Sequence, residues 1–308
     1  MNFKQILRSI QSDRVNTVVI IISLAVGLVS INLVVLFIGR ELGTDNFHKN
    51  SDRIYALKCD DPWLPGKQMY HCRYGSAEYM KNNFAGVEDF CRVNNSNALK
   101  IIADNEDYFD NPKIIGASEN FFRFFSYRLL TNNPGTALEA NNSLVISTEI
   151  AKKYFGNQDP VGRIITLVYR NKPDEMTVTG IFEKPVENTQ INFDMVRLIG
   201  DADSRCYIRL AENTDQVEME KLFAEKKETI PVIHTGVPGP YYLEPMRLAY
   251  FDTTRRMTIE NSRDRRDLWI ATIIGLMIMG VAVFNYLTIL SNKFNRKTKE
   301  LYLRRING

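Results

Sequence analysis

Two stretches break the usual alternation of polar and apolar positions. Residues 15–39 and 268–292 each run for 25 residues without Asp, Glu, Lys or Arg. About 20 apolar residues cross a bilayer as a helix, so each stretch predicts a transmembrane helix. Ahead of the first, Phe3, Ile6, Leu7 and Ile10 share a helical face opposite Lys4 and Arg8, so 1–14 is expected to lie as an amphipathic helix in the inner interface. A signal peptide is the competing reading. The apolar run is too long for one and passes into Phe37-Ile38-Gly39-Arg40-Glu41 without a small-x-small cleavage site, which points to an uncleaved anchor.

Between the spans the period shortens. Residues 53–58 and 87–93 alternate like strands around a helical stretch at 76–84, a β-α-β opening. A second block follows, with strands expected at 113–117, 143–147, 164–169 and 176–182 and helices at 119–125 and 148–154. Ser147 or Thr148 should cap the latter helix, Gly156 should end it, and Asn171-Lys172-Pro173-Asp174 reads as a hairpin tip. The first motif then returns as a strand at 205–210, a helix at 215–228 capped by Thr214, and an extended piece at 241–243. The expected fold is an α+β domain over 40–267, built of two β-α-β pieces with a mostly β insertion at about 96–190. From about 265 nothing strong enough to break a helix occurs before Gly308, so the second span should continue as one rod into the basic cluster at 299–305.

Composition alone would mislead. A hydrophobic content of 44% and a mean hydropathy of -0.23 describe an average soluble protein, yet the two spans exclude a wholly soluble enzyme. Charge orients the chain. Residues 1–14 carry a net +2 and residues 293–308 a net +5, leaving -4 for the middle of a chain whose total is +3. Basic flanks stay in the cytoplasm, so both ends are expected inside and 40–267 outside. A basic excess confined to membrane boundaries gives no ground for nucleic-acid binding. The cysteines, Cys59, Cys72, Cys91 and Cys206, all fall in the outer segment, where disulfides persist; a Cys59–Cys72 bridge and buried strand thiols are both open.

Motifs for chemistry are missing. Gly66-Lys67 is followed by Gln68 and lacks the upstream glycine of a phosphate loop, and neither G-x-S-x-G nor H-E-x-x-H occurs. No C-x-x-C accompanies the scattered His48, His71 and His234, so neither a metal nor a cofactor is expected. The acidic pairs, such as Asp60-Asp61, read as solvated loop charges, and Phe121, Phe122, Phe124 and Phe125 read as core. Within the spans, Ser23 and Gly27 form a small-xxx-small pair and Asn285 is a polar residue needing a partner, so all three are candidates for helix packing.

Taken in order, MNFKQILRSIQSDRVNTVVIIISLAVGL, FHKNSDRIYAL, SENFFRFFSYRLLTNNPGTAL, SLVISTEIAKKYFGNQDPVGRIITL, TVTGIFEKPVENTQINFD and FNYLTILSNKFNRKTKELYLRRING cover nearly the whole chain. Together they resemble the MacB/FtsX-like permeases of ABC transporters, in the version typical of Bacteroidetes. The resemblance implies a periplasmic domain with porter and sabre parts between the first two spans, a separate ATPase chain, and a second permease copy. Lys297, Lys299, Glu300, Arg304 and Arg305, on the helix expected to continue from the second span, are the candidates for contacting that ATPase. The family continues to further spans where this sequence stops, which reads as a truncated product. Its endings carry glycine after the acidic-hydrophobic pair where this chain has Tyr302. The alternative reading is a two-span sensor or scaffold whose outer domain binds a ligand or partner. The transported substrate is not identified by any residue.

Overall fold

The computed structural model describes residues 14–61, 64–73, 75–96, 98–169, 172–200, 204–230, 240–253 and 262–306. The amphipathic helix expected over 1–14 therefore lies outside the described residues except for Arg14. Two units are present, one of residues 43–263 and one of the flanking apolar segments. The described chain opens with α1 (Arg14–Leu42), then enters the polar unit through β1 (Ile54–Asp60), β2 (Gln68–Met69), α2 (Ser76–Asn83) and β3 (Val87–Asn95). Next come β4 (Lys100–Ala103), β5 (Glu106–Tyr108), β6 (Ile114–Ala117), α3 (Phe121–Phe124), β7 (Arg128–Leu129), β8 (Ser143–Ser147) and α4 (Thr148–Phe155). The unit closes with β9 (Ile164–Tyr169), β10 (Lys172–Glu183), β11 (Met195–Leu198), β12 (Arg205–Leu210), α5 (Gln216–Glu225), β13 (Tyr241–Pro245) and α6 (Met246–Ala249), before α7 (Arg265–Ile306).

The strands form one continuous sheet in the order β13-β1-β12-β3-β6-β11-β8-β10-β9-β4-β5, with β2 on β1 and β7 on β10. At one end the two expected β-α-β pieces interleave. β12 lies between β1 and β3, while β1 lies between β12 and β13, each pairing antiparallel. β1 and β3 are thus parallel but not adjacent, the arrangement of a split β-α-β motif. α2 and α5 bury Met80, Met219 and Phe223 with Leu57, Cys206 and Ile208 of the sheet in one cluster. Full burial of a side chain such as Phe223 contributes about 1.5–3 kcal/mol. Its edge-on contact with Phe84, centroids 5.0 Å apart, adds about 0.5–1.5 kcal/mol.

The β insertion joins this sheet through three residue pairs between β3 and β6, beginning at Val93↔Ala117. The region also reaches beyond 190, because β11 is sandwiched between β6 and β8. α4 covers a second cluster there, with Ile150, Tyr154 and Phe155 on Leu144, Ile146, Ile165 and Val178. Ser147 caps α4, its Oγ accepting from Ile150 N at 3.3 Å, and Gly156 ends it at φ +62°. For α5 the cap is Asp215 rather than the expected Thr214, with Glu218 N donating to Asp215 Oδ1 at 2.9 Å. The expected hairpin tip is also shorter than 171–174. Lys172, Pro173 and Asp174 pair with Tyr169, Val168 and Leu167, because β8 reaches β10 only from Thr177 onward and leaves an outer edge where proline loses no ladder bond. Phe121, Phe122, Phe124 and Phe125 form the middle of the third cluster, all buried with Tyr127, Phe182 and Phe193. The four cysteines are buried free thiols.

Candidate functional site

α1 and α7 owe their character to composition. Their large apolar residues remain exposed, with Leu36 at 68% and Phe284 at 69%, whereas an apolar core helix of a soluble protein would be buried. The stretches long and apolar enough to cross a membrane are 18–42 and 265–292. The two helices pack on each other at small residues. A Cβ added at Gly27 would fall 2.8 Å from Ala282 Cβ, and one at Gly275 would fall 2.8 Å from a Val34 methyl. Glycine is what permits so close an approach. Ser23 is half-buried and donates to its own helix at Ile20 O, 3.2 Å away. Asn285 is half-buried on α7, and no hydrogen bond of its side chain is seen among the described residues.

Lys297, Lys299, Glu300, Arg304 and Arg305 all fall in the last three turns of α7. Lys299 and Arg305 are exposed; the side chains of Lys297, Glu300 and Arg304 lie outside the description. α7 is one uninterrupted helix of 42 residues, about 63 Å long at 1.5 Å per residue. Its last 14 residues extend past the span ending at Asn292 by about 20 Å.

A buried polar network lies in the folded unit, in the segment that follows α1. Asp45, at φ 62°, accepts from Thr189 Oγ1 at 2.7 Å, Gln190 N at 3.3 Å and Gln190 Nε2 at 2.5 Å. Three residues on, His48 Nδ1 accepts from Ser126 N at 3.1 Å, and its Nε2 stands 3.7 Å from Asp45 Oδ1. The His48 ring packs on Phe125 and Tyr127, whose hydroxyl donates to Ile191 O at 2.6 Å. Burial shifts both titrating groups toward neutrality. The Asp45 carboxyl rises to about 6 despite the opposing hydrogen bonds and the Arg247 charge, and the His48 imidazole falls to about 3. Among the described residues no three His, Cys, Asp or Glu side chains converge as a metal site.

Sequence reasoning missed this network because its members are polar residues far apart in the chain. The signal was nevertheless present, since His48 lies in FHKNSDRIYAL and Asn188, Thr189 and Gln190 in TVTGIFEKPVENTQINFD.

Comparison with known proteins gives a consistent picture. Residues 17–225 match the family model of the MacB-like periplasmic core domain. No curated protein sequence matches the chain. Among solved structures, a domain of a protein described as a permease, from Porphyromonas gingivalis, superposes with a TM-score of 0.53 at 22% identity, covering 64% of this chain and 91% of that one. That similarity shows the fold. The periplasmic region of MacB from Actinobacillus actinomycetemcomitans gives a TM-score of 0.46 at 10% identity over 63% of this chain and 88% of its own. The extracellular domain of the noncanonic ABC-type transporter YknZ from Gram-positive bacteria gives 0.42 at 14% identity over 62% and 98%.

Proposed function

This chain belongs to the MacB-like periplasmic core domain family, the family of MacB/FtsX-like ABC transporter permeases, and we propose that it is a permease subunit that turns ATP-driven motion in a separate ATPase into movement of its outer domain. Residues 1–14 and 293–308 lie in the cytoplasm on this reading, as their net charges of +2 and +5 favour. The outer domain is 40–267, in the periplasm, with its β insertion extending past 190 to take in β11. A second copy of the chain completes the permease, and a substrate is extruded outward. Catalysis belongs to the ATPase.

The observation that carries this proposal is the continuity of α7. A 42-residue helix that leaves the span and continues for about 20 Å is a stiff lever, and its inner turns bear the charges a soluble partner can grip. Ser23, Gly27 and Asn285 hold the helix pair together, while Lys297, Lys299, Glu300, Arg304 and Arg305 meet the ATPase. A ligand that shifts a conformational equilibrium must contact its two states differently, and the inner end is where an ATPase can do so. The bland alternative is a lipid anchor, each cation contributing about 1 kcal/mol near an anionic surface.

Charge reversal separates the two. Glu300→Lys with Arg304→Glu, one helical turn apart, leaves the net charge of the tail unchanged. ATPase co-purification with the full-length protein should fall while membrane insertion stays constant. Undiminished recovery of the ATPase would refute coupling through this tail.

A further inference from the structure

Two chain segments connect the folded unit to the membrane helices. Residues 43–45 follow directly from α1, and Arg263 precedes α7 by two positions. One short stretch, Asn188-Thr189-Gln190, grips both. Asn188 Nδ2 donates to Thr44 Oγ1 at 2.9 Å and to Tyr250 Oη at 3.0 Å, so both amide hydrogens are used. The Asn188 carbonyl accepts from Asp45 N at 3.0 Å. Tyr250 in turn holds the entry to α7, its carbonyl accepting from Arg263 N at 2.9 Å. Gln190 repeats the pattern, since its Nε2 donates to Asp45 Oδ2 at 2.5 Å and to Met246 O at 3.0 Å.

We propose that Asn188 and Gln190 form a tie that fixes the spacing between the exit of α1 and the entry of α7, and so are positioning residues for the transmission of motion. Each amide bridges segments that lie 144 or 145 residues away on one side and 56 or 62 on the other. Without the side-chain bonds, residues 43–45 would lose the links that pass through Asn188 and Gln190 to Tyr250 and Met246, keeping the backbone bond from Asp45 N to Asn188 O. With them, a displacement at either crossing is imposed on the other and on the strand ends that carry the tie. Asn188 is only half-buried, so cutting its side chain leaves the aromatic core intact.

The inference rests on the proposed function, but its test reads geometry instead of transport. Spin labels on cysteines at the exposed positions Leu42 and Arg266, in the full chain reconstituted in lipid, report the spacing of the two crossings by pulsed dipolar spectroscopy. The four native thiols are buried and should stay unlabelled. In Asn188→Ala the distance distribution should widen at least twofold, while near-ultraviolet circular dichroism stays native. Tyr250→Phe, which removes one hydroxyl only, should widen it by a smaller amount and decides the matter if Asn188→Ala does not fold. A width equal to that of the parent in a folded variant overturns the tie. ATPase co-purification measured on the same preparations keeps the two readings apart. Loss of the ATPase from the parent would count against the function, whereas an unchanged width counts only against the tie.

Discussion

Replacing Asp45 with asparagine should make the outer domain sensitive to acid. Burial raises the Asp45 carboxyl from 3.8 to about 6 and lowers the His48 imidazole from 6.5 to about 3. Between pH 4 and 6 the folded domain therefore holds a proton on Asp45 and none on His48, while the unfolded chain holds one on His48 and none on Asp45. Each state binds one proton through this pair, so the pair adds almost nothing to the slope of stability against pH. Singly, the two groups act in opposite directions. Asp45 binds its proton more tightly when folded, so its contribution favours the fold at acid pH and is lost as pH rises toward 6. His48 binds more tightly when unfolded, so its contribution is present above 6.5 and is lost as pH falls toward 3. Asparagine stands in for the neutral carboxyl and removes only the Asp45 response. The slope reaches about 1.4 kcal/mol per pH unit only midway between 3.8 and 6 and halves at either end, so Asp45→Asn should lose about 2 kcal/mol relative to the parent between pH 6 and pH 4. His48→Gln should gain a similar amount over the same interval. Urea denaturation of residues 43–263, followed by circular dichroism at pH 4, 5 and 6, measures both, and comparison with the parent cancels every other titrating group. A constant gap between Asp45→Asn and the parent would refute the reasoning.

Residues 43–263, expressed without the membrane helices, should give a cooperative thermal transition, because the three core clusters lie wholly inside that unit. A disordered circular dichroism spectrum would oppose this. A cysteine at Val186, 95% exposed, should react with an impermeant maleimide added outside the cell and one at Asn295 should not, and the reverse pattern would invert the topology. Gly27→Leu should cost about 1–3 kcal/mol in helix-pair stability, because even its Cβ meets Ala282 at 2.8 Å. Gly39→Leu has nothing within 4 Å and serves as the control; equal effects on unfolding of the full chain in detergent would remove the seam.

What could be read in the sequence was what depends on near neighbours. The spans followed from uncharged length, α4 from Ser147 and Gly156, and β3 from its alternation of buried and exposed positions. Where the sequence misled, competition between neighbours decided. Thr214 and Asp215 can both accept from the first turn of α5, and only the folded backbone selects Asp215. Pro173 reads as a turn until it is known that β10 has an unpaired edge there. β2, β4, β5, β7 and β11 are two to four residues long, too short to show a period. The polar network was hidden for a different reason. Asp45 and Gln190 are 145 residues apart, and nothing local to either distinguishes a buried acceptor from a surface carboxylate.

Stability does not explain why a carboxylate and an imidazole are buried together just beyond a membrane helix. Well-packed apolar residues of similar volume are often as stable as buried polar groups or more so. Among the described residues His48 Nε2 and Gln190 Oε1 also find no hydrogen-bond partner, and a buried polar atom left unsatisfied costs about 1–3 kcal/mol. What polar groups supply that apolar ones do not is direction. A leucine at position 45 could fill the space at many chain angles, whereas a carboxylate that accepts from Thr189 and twice from Gln190 fixes the backbone in one. Asp45 is at φ 62°, in the left-handed region where a non-glycine residue needs its surroundings to hold it. The network therefore exchanges some stability for a defined chain direction three residues after α1. That exchange suits the proposed role, in which the segment passes on displacement without absorbing it.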